Sequence, residues 1–163
     1  MQKSIGIKRR EKLRKTLPPR KASDLPMDRR REIKTIYHIT RKECLPSILE
    51  QGLQPRLDVC AFASGEDQQA VHVYVSPESV RDALAPSSFY RQLVREHFGE
   101  DVELCVLQLS AKPYYTIALC GREQDTIRIL HPLSAKSAIV LDLNLHPVSS
   151  VELENILAHR SAG

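Results

Sequence analysis

The stretch Thr35-Ile36-Tyr37-His38-Ile39-Thr40-Arg41-Lys42-Glu43-Cys44-Leu45-Pro46-Ser47-Ile48-Leu49-Glu50-Gln51-Gly52 sets the reading of the whole chain. Thr35 to Ile39 is rich in β-branched and aromatic residues and predicts a strand. Thr40 follows as a helix N-cap, and Glu43 three residues later completes a capping-box pattern. Cys44, Leu45, Ile48 and Leu49 have helical spacing, with Pro46 in the first turns where a missing N–H costs least. Gly52 closes the helix as a C-terminal cap. A strand that ends in His38 and runs into a capped helix sets two polar side chains, His38 and Thr40, at a helix N-terminus. Backbone N–H groups and the helix dipole there favour an anionic or carbonyl-bearing ligand.

Outward from this unit the pattern turns to strands. Residues 54–70 read as a loop, and Val71 to Ser76 as a second strand with Val71, Val73 and Val75 on one face and His72, Tyr74 and Ser76 on the other. Pro77 opens a helix through Leu84, and residues 87–98 form another, with Phe89, Leu93, Val94 and His97 on one stripe before Gly99. Glu103–Leu109, Tyr114–Leu119, Thr126–Leu130 and a long Ser137–Leu145 are further strands, and Val151–His159 is a closing helix on which Glu152 and Glu154 cap or face solvent. Strands dominate after one early helical section, so the expected class is α+β.

A chain of 163 residues with 42% apolar and 27% charged residues supports one folded domain with a proper core. It has no apolar run near the roughly 20 residues of a membrane helix, and its basic start lacks the apolar stretch of a secretory signal. A cytoplasmic protein that does not engage membranes is expected. Cys44, Cys60, Cys105 and Cys120 are widely spaced with no C-x-x-C pair, so reduced core thiols are expected rather than a metal site or a disulfide scaffold.

The charge is unevenly distributed. Residues 1–34 carry thirteen Lys/Arg against four Asp/Glu, a net +9, while the remaining 129 residues hold eleven basic and sixteen acidic groups, a net −5. The chain therefore divides into a basic N-terminal arm, 1–32, and an acidic domain, 33–163. Lys8, Arg9, Arg10, Arg29, Arg30 and Arg31 are the candidate contacts to nucleic acid, with a short basic helix over 8–17 stopped by Pro18-Pro19.

The run I-Y-H-I-T-x5-P-S-I-L-x2-G-L-x-P from Ile36 to Pro55 resembles the first motif of ADP-ribosyltransferase-like proteins, and Val71 to Leu84 is similar to their second. Leu45 to Leu49 and Tyr74-Val75-Ser76-Pro77 resemble the DNA ADP-ribosyltransferase toxins. Tyr37-His38-x-Thr40, Val71-His72 and Val148 to Ile156 resemble the RNA 2′-phosphotransferases. The resemblance spans roughly residues 33–158 and implies a split mixed β-sheet flanked by short helices, with NAD as substrate and no metal. It implies that His38 anchors a ribose and that Tyr74 stacks on nicotinamide. Thr40, Gly52, Ser76 and Arg56 would complete the NAD pocket, Arg56 alongside Arg91 and Arg95 as candidate phosphate ligands. The late-strand glutamate of the toxins aligns near Ala138, which leaves Asp142 as the acidic candidate on that strand.

Three functions follow as expectations: ADP-ribosyl transfer from NAD onto nucleic acid or protein, RNA 2′-phosphate removal with NAD as acceptor, or a degenerate module that only binds a nucleotide or nucleic acid. Under all three, His38, Thr40, Tyr74 and Ser76 are expected to converge on one cleft.

The arm yields a prediction independent of any resemblance. Affinity for RNA or DNA is expected to fall with salt, with a log–log slope of about −0.7 to −0.9 per phosphate contact. Removing residues 1–32 flattens that slope and weakens binding while thermal stability stays nearly unchanged. Equally tight binding by the truncated chain, measured by fluorescence anisotropy across salt concentrations, contradicts the assignment.

Overall fold

The strands stay together in one sheet because helices cover both of its faces. The computed structural model describes residues 33–56, 69–111, 117–119 and 126–158. Their elements run β1 (Thr35–Arg41), a 3₁₀ turn (Lys42–Cys44), α1 (Leu45–Gln51), β2 (Val71–Tyr74), α2 (Pro77–Leu84), α3 (Phe89–Phe98), β3 (Leu104–Ser110), β4 (Ile117–Leu119), β5 (Thr126–Ile129), β6 (Ile139–Leu141) and α4 (Ser150–Ala158). The arm residues Lys8, Arg9, Arg10, Arg29, Arg30 and Arg31, the 8–17 helix, Cys60, Cys120 and Tyr114-Tyr115 lie outside the described residues.

The strands form one sheet in the order β4-β5-β2-β1-β3-β6. The class is α+β, as expected. The expectation of a mixed sheet is corrected: every strand pairing among the described residues is antiparallel. The ladder is uneven. β1 pairs with β3 along its full length, from Thr35 opposite Ser110 to Arg41 opposite Leu104. β2 pairs with β5 at every residue. Between the central neighbours β1 and β2, by contrast, pairing is confined to Tyr37 opposite Tyr74.

Both faces of the sheet are covered. Ile36, Val71, Val73, Cys105, Leu107, Leu109, Ile127 and Ile129 form one buried cluster, against which Leu45, Ile48 and Leu49 of α1 and Leu153 and Ile156 of α4 pack. Ile39, Tyr74, Leu104, Val106 and Leu141 form a second cluster, closed by Val80, Ala83 and Leu84 of α2 and by Tyr90 and Val94 of α3. The period-two pattern assigns each strand residue to one of these layers. Phe89, expected on the packed stripe of α3, is instead 55% exposed at its first position.

The local details differ from expectation at two points. Thr40 does not cap a helix: it is a β1 residue, a 3₁₀ turn intervenes, and α1 begins at Leu45 with Pro46 in its first turn and no side-chain cap bond. β6 is short and ends at Leu141, because Asp142 organises a turn directly after it.

Gly52 is needed where it stands. It ends α1 at φ +82°, and a Cβ there would lie 2.4 Å from the Leu133 carbonyl oxygen. Leu53 and Leu133 exchange backbone hydrogen bonds of 2.8 and 2.9 Å, which fixes that approach. Gly52→Ala is therefore predicted to cost roughly 1–3 kcal/mol through backbone strain alone, with the clash adding to it. Urea denaturation measures this. A variant as stable as the wild type contradicts the assignment.

Candidate functional site

A cavity of about 640 Å³ opens where β1 and β2 cease to pair. One wall is the 3₁₀ turn, α1 and its exit, contributing Cys44, Ser47, Ile48, Gln51, Gly52 and Arg56. The opposite wall is α3, with Tyr90, Val94, His97 and Phe98. His38 to Arg41 of β1 and Ala70 to His72 at the start of β2 lie between.

His38 occupies the break itself. A ladder continued from Tyr37–Tyr74 would set Ile39 opposite His72. Instead the His38 ring lies against the His72 carbonyl, Nδ1 to O 2.8 Å. A carbonyl can only accept, so Nδ1 carries the proton and donates. In the neutral ring Nε2 is then the acceptor nitrogen. Thr40, two residues on, shares the face of β1 that carries His38; it is buried and lines the same cavity. Arg56 is exposed and is fixed through its backbone, which pairs with Ala70 at 3.0 and 3.2 Å. Gly52 lines the wall at the end of α1.

Four of the expected site residues, His38, Thr40, Gly52 and Arg56, therefore come together. Tyr74 does not join them. It is 6% exposed and packs in the second core cluster under α2 and α3. Ser76 caps α2, its hydroxyl accepting from the Ser79 N–H at 3.2 Å, and it is not part of the cavity wall. Tyr74 is buried against α2 and α3 off the cavity wall and Ser76 is engaged in the α2 cap, which is why the expected four-residue convergence fails.

Asp142 is also absent from the cavity wall. Its carboxylate accepts from the backbone N–H groups of Asn144 (2.8 Å) and His146 (3.0 Å), closing the turn in which Leu145 takes φ +63°. The His146 N–H bond, followed by the weaker contribution of Asn144, holds its pKa below the usual carboxylate range. Its position is that of a turn-forming residue. Of the two further arginines considered, Arg95 donates to the Pro86 carbonyl (2.6 Å), and neither Arg91 nor Arg95 lines the cavity.

Besides His72, which the face shared with Tyr74 and Ser76 already offered to the pocket, the structure adds residues that the sequence did not assign to it. Arg41 pairs with Glu43 and lays its guanidinium over the Phe98 ring, 4.1 Å from the centroid. His72 is 5% exposed, and its side chain shares the α2/α3 layer with Tyr74. His97 and Phe98 come from the end of α3. Only the helical spacing of Tyr90, Val94 and His97 carried a signal for this wall. Cys44 lines the cavity, while Cys105, opposite Thr40 in the ladder, is buried. Burial pushes the Cys105 thiol up to about 11, which keeps it protonated and unreactive at neutral pH.

The chemistry of the wall is cationic and imidazole-rich. Among the described lining residues there are two arginines (Arg41, Arg56), three histidines (His38, His72, His97) and a single carboxylate, Glu43, which Arg41 engages. Among the described residues no group of three or more His, Cys, Asp and Glu is arranged to hold a metal ion. No described helix is long and apolar enough to cross a membrane. In comparisons with known proteins, neither a protein-family model nor a curated protein matches this chain.

Proposed function

We propose that the cavity at the β1/β2 break binds NAD and that the domain is an ADP-ribosyltransferase-like transferase acting on a nucleic-acid or protein acceptor. The observation that carries this reading is the tethered His38 ring. Its Nδ1–H is committed to the His72 carbonyl, so its Nε2 has the character needed to accept from a ribose hydroxyl. Thr40 and Gly52 of the resembling motif, with Arg56 just beyond it, surround the same cavity, and its volume of about 640 Å³ is of the size that takes a ligand of this class.

In the proposed reaction the bond from the ribose anomeric carbon to the nicotinamide nitrogen breaks. The electron pair leaves with nicotinamide, which becomes neutral, and cationic character develops on the ribose. An acceptor nucleophile then adds to that carbon and gives up its proton. His38 positions the ribose, and Arg56 and Arg41 meet the diphosphate. Glu43 is the lining carboxylate nearest in kind to what a developing cation requires.

The composition of the wall favours a second reading. Two arginines and three histidines against one carboxylate suit a phosphate-bearing substrate, and so support RNA 2′-phosphate transfer to NAD. A module that binds without reacting would share the same pocket.

Calorimetry with NAD, followed by assays of nicotinamide release and of phosphate loss from a 2′-phosphorylated RNA, separates the three. NAD binding is expected in the wild type. His38→Ala is expected to weaken it about tenfold, the equivalent of one lost hydrogen bond of about 1.4 kcal/mol, with a cooperative melting transition kept at a lower midpoint because the His72 carbonyl loses this bond. Unchanged turnover and affinity in His38→Ala would make the motif structural only, and no NAD binding by the wild type contradicts the proposal.

A further inference from the structure

The α3 wall of the cavity ends in an aromatic ring that does not contribute to the core. Phe98 is 44% exposed, at the C-terminal end of α3, and lines the cavity together with Arg41. Its place in the cavity wall sets an aromatic face where a ligand in the cavity can reach it. The ring face is not bare. The planar guanidinium of Arg41 lies 4.1 Å from its centroid, about the separation of stacked π-systems. Arg41 reaches that position from the last residue of β1, three residues beyond His38. Its other partner is Glu43, 68% exposed, and an exposed ion pair of this kind contributes little. The guanidinium is thus held over Phe98 by interactions that are cheap to exchange.

We propose that Phe98 and Arg41 form the nucleobase subsite of the cavity. A flat heteroaromatic base replaces the guanidinium on the Phe98 ring, and the released Arg41 pairs with the phosphate of the same nucleotide. This rests on the nucleotide-binding reading above and deepens it by assigning the ring-recognising wall to α3, in place of Tyr74. Stacking on an aromatic side chain tolerates any base, since each has a π-face, and Arg provides the planar donor fork that matches phosphate oxygens. The base can come from the adenosine half of NAD or from a nucleic-acid acceptor, and the same chemistry serves both.

The chain contains no tryptophan, so Phe98→Trp installs a single indole at the subsite. Its fluorescence is expected to be quenched by AMP and by adenosine but not by inorganic pyrophosphate. Phe98→Leu is expected to weaken both AMP and adenosine about tenfold by calorimetry. Arg41→Gln is expected to weaken AMP by a similar factor and not to weaken adenosine. Because Phe98 is half exposed, these variants are expected to keep the wild-type melting transition. Equal quenching by pyrophosphate, or AMP binding to Phe98→Trp with no quenching, overturns the subsite. AMP binding without NAD binding leaves the subsite standing and removes the ADP-ribosyl reading, whereas a wild type that binds neither removes both. With NAD saturating, further quenching by a short single-stranded oligodeoxynucleotide assigns the platform to the acceptor base; its absence assigns it to adenine.

Discussion

Two central strands that lie side by side yet pair at one position leave backbone groups needing other partners. A buried carbonyl without a hydrogen bond costs on the order of 1–3 kcal/mol. At the break between β1 and β2, the His72 carbonyl obtains its bond from the His38 ring in place of a backbone N–H. One imidazole therefore does two things: it satisfies the sheet where the ladder stops, and it fixes its own tautomer and orientation at the entrance to a cavity. The full-length β1–β3 ladder and the complete β2–β5 ladder hold the two half-sheets rigid on either side. The gap between them is thus defined by strands rather than by loops, which is the better foundation for a site that must hold a ligand in one geometry.

The second constraint is that helices cover both faces. Alternation along Val71-His72-Val73-Tyr74 correctly separated two faces, but all four residues are buried. Polar and aromatic residues on the second face do not meet water; they meet α2 and α3. A strand between two helical layers carries the alternation without its usual inside–outside meaning. Tyr74 consequently reads as a ligand platform in sequence and is a core residue in space. The aromatic surface facing the cavity comes instead from α3, whose residues are far along the chain.

Much of the fold was legible because it rests on local rules. The Pro77–Leu84 helix, the Gly52 and Gly99 stops, and the strands around Ile36, Val73 and Leu107 follow from period, capping and proline placement. The half of the site carried by β1 and α1 was legible for the same reason, since His38, Thr40 and Gly52 are close in sequence. What failed depended on contacts of long range or on competition within one turn. Thr40 and Glu43 match a capping box, yet the full-length pairing of β1 with β3 draws Thr40 into the strand. Asp142 sits after an apolar strand as a catalytic acid would, but the next residues turn back, and their N–H groups claim its carboxylate. Arg41 has no assigned role in the sequence, and only its approach to Phe98 gives it a place in the pocket.

The central claim is that the His38 ring, held by the His72 carbonyl at the sheet break, is where the ligand is met. Long-range ¹H–¹⁵N spectra of a chain labelled at its histidine imidazoles test this directly. Without ligand, neutral His38 is expected to carry its proton on Nδ1. On titration with NAD the account predicts that the ring signals of His38, followed by those of His72 and His97, shift, while His131 and His146, outside the cavity, stay in place. An Nε2-protonated His38, or NAD binding that moves His131 or His146 and leaves His38 unchanged, would contradict the account.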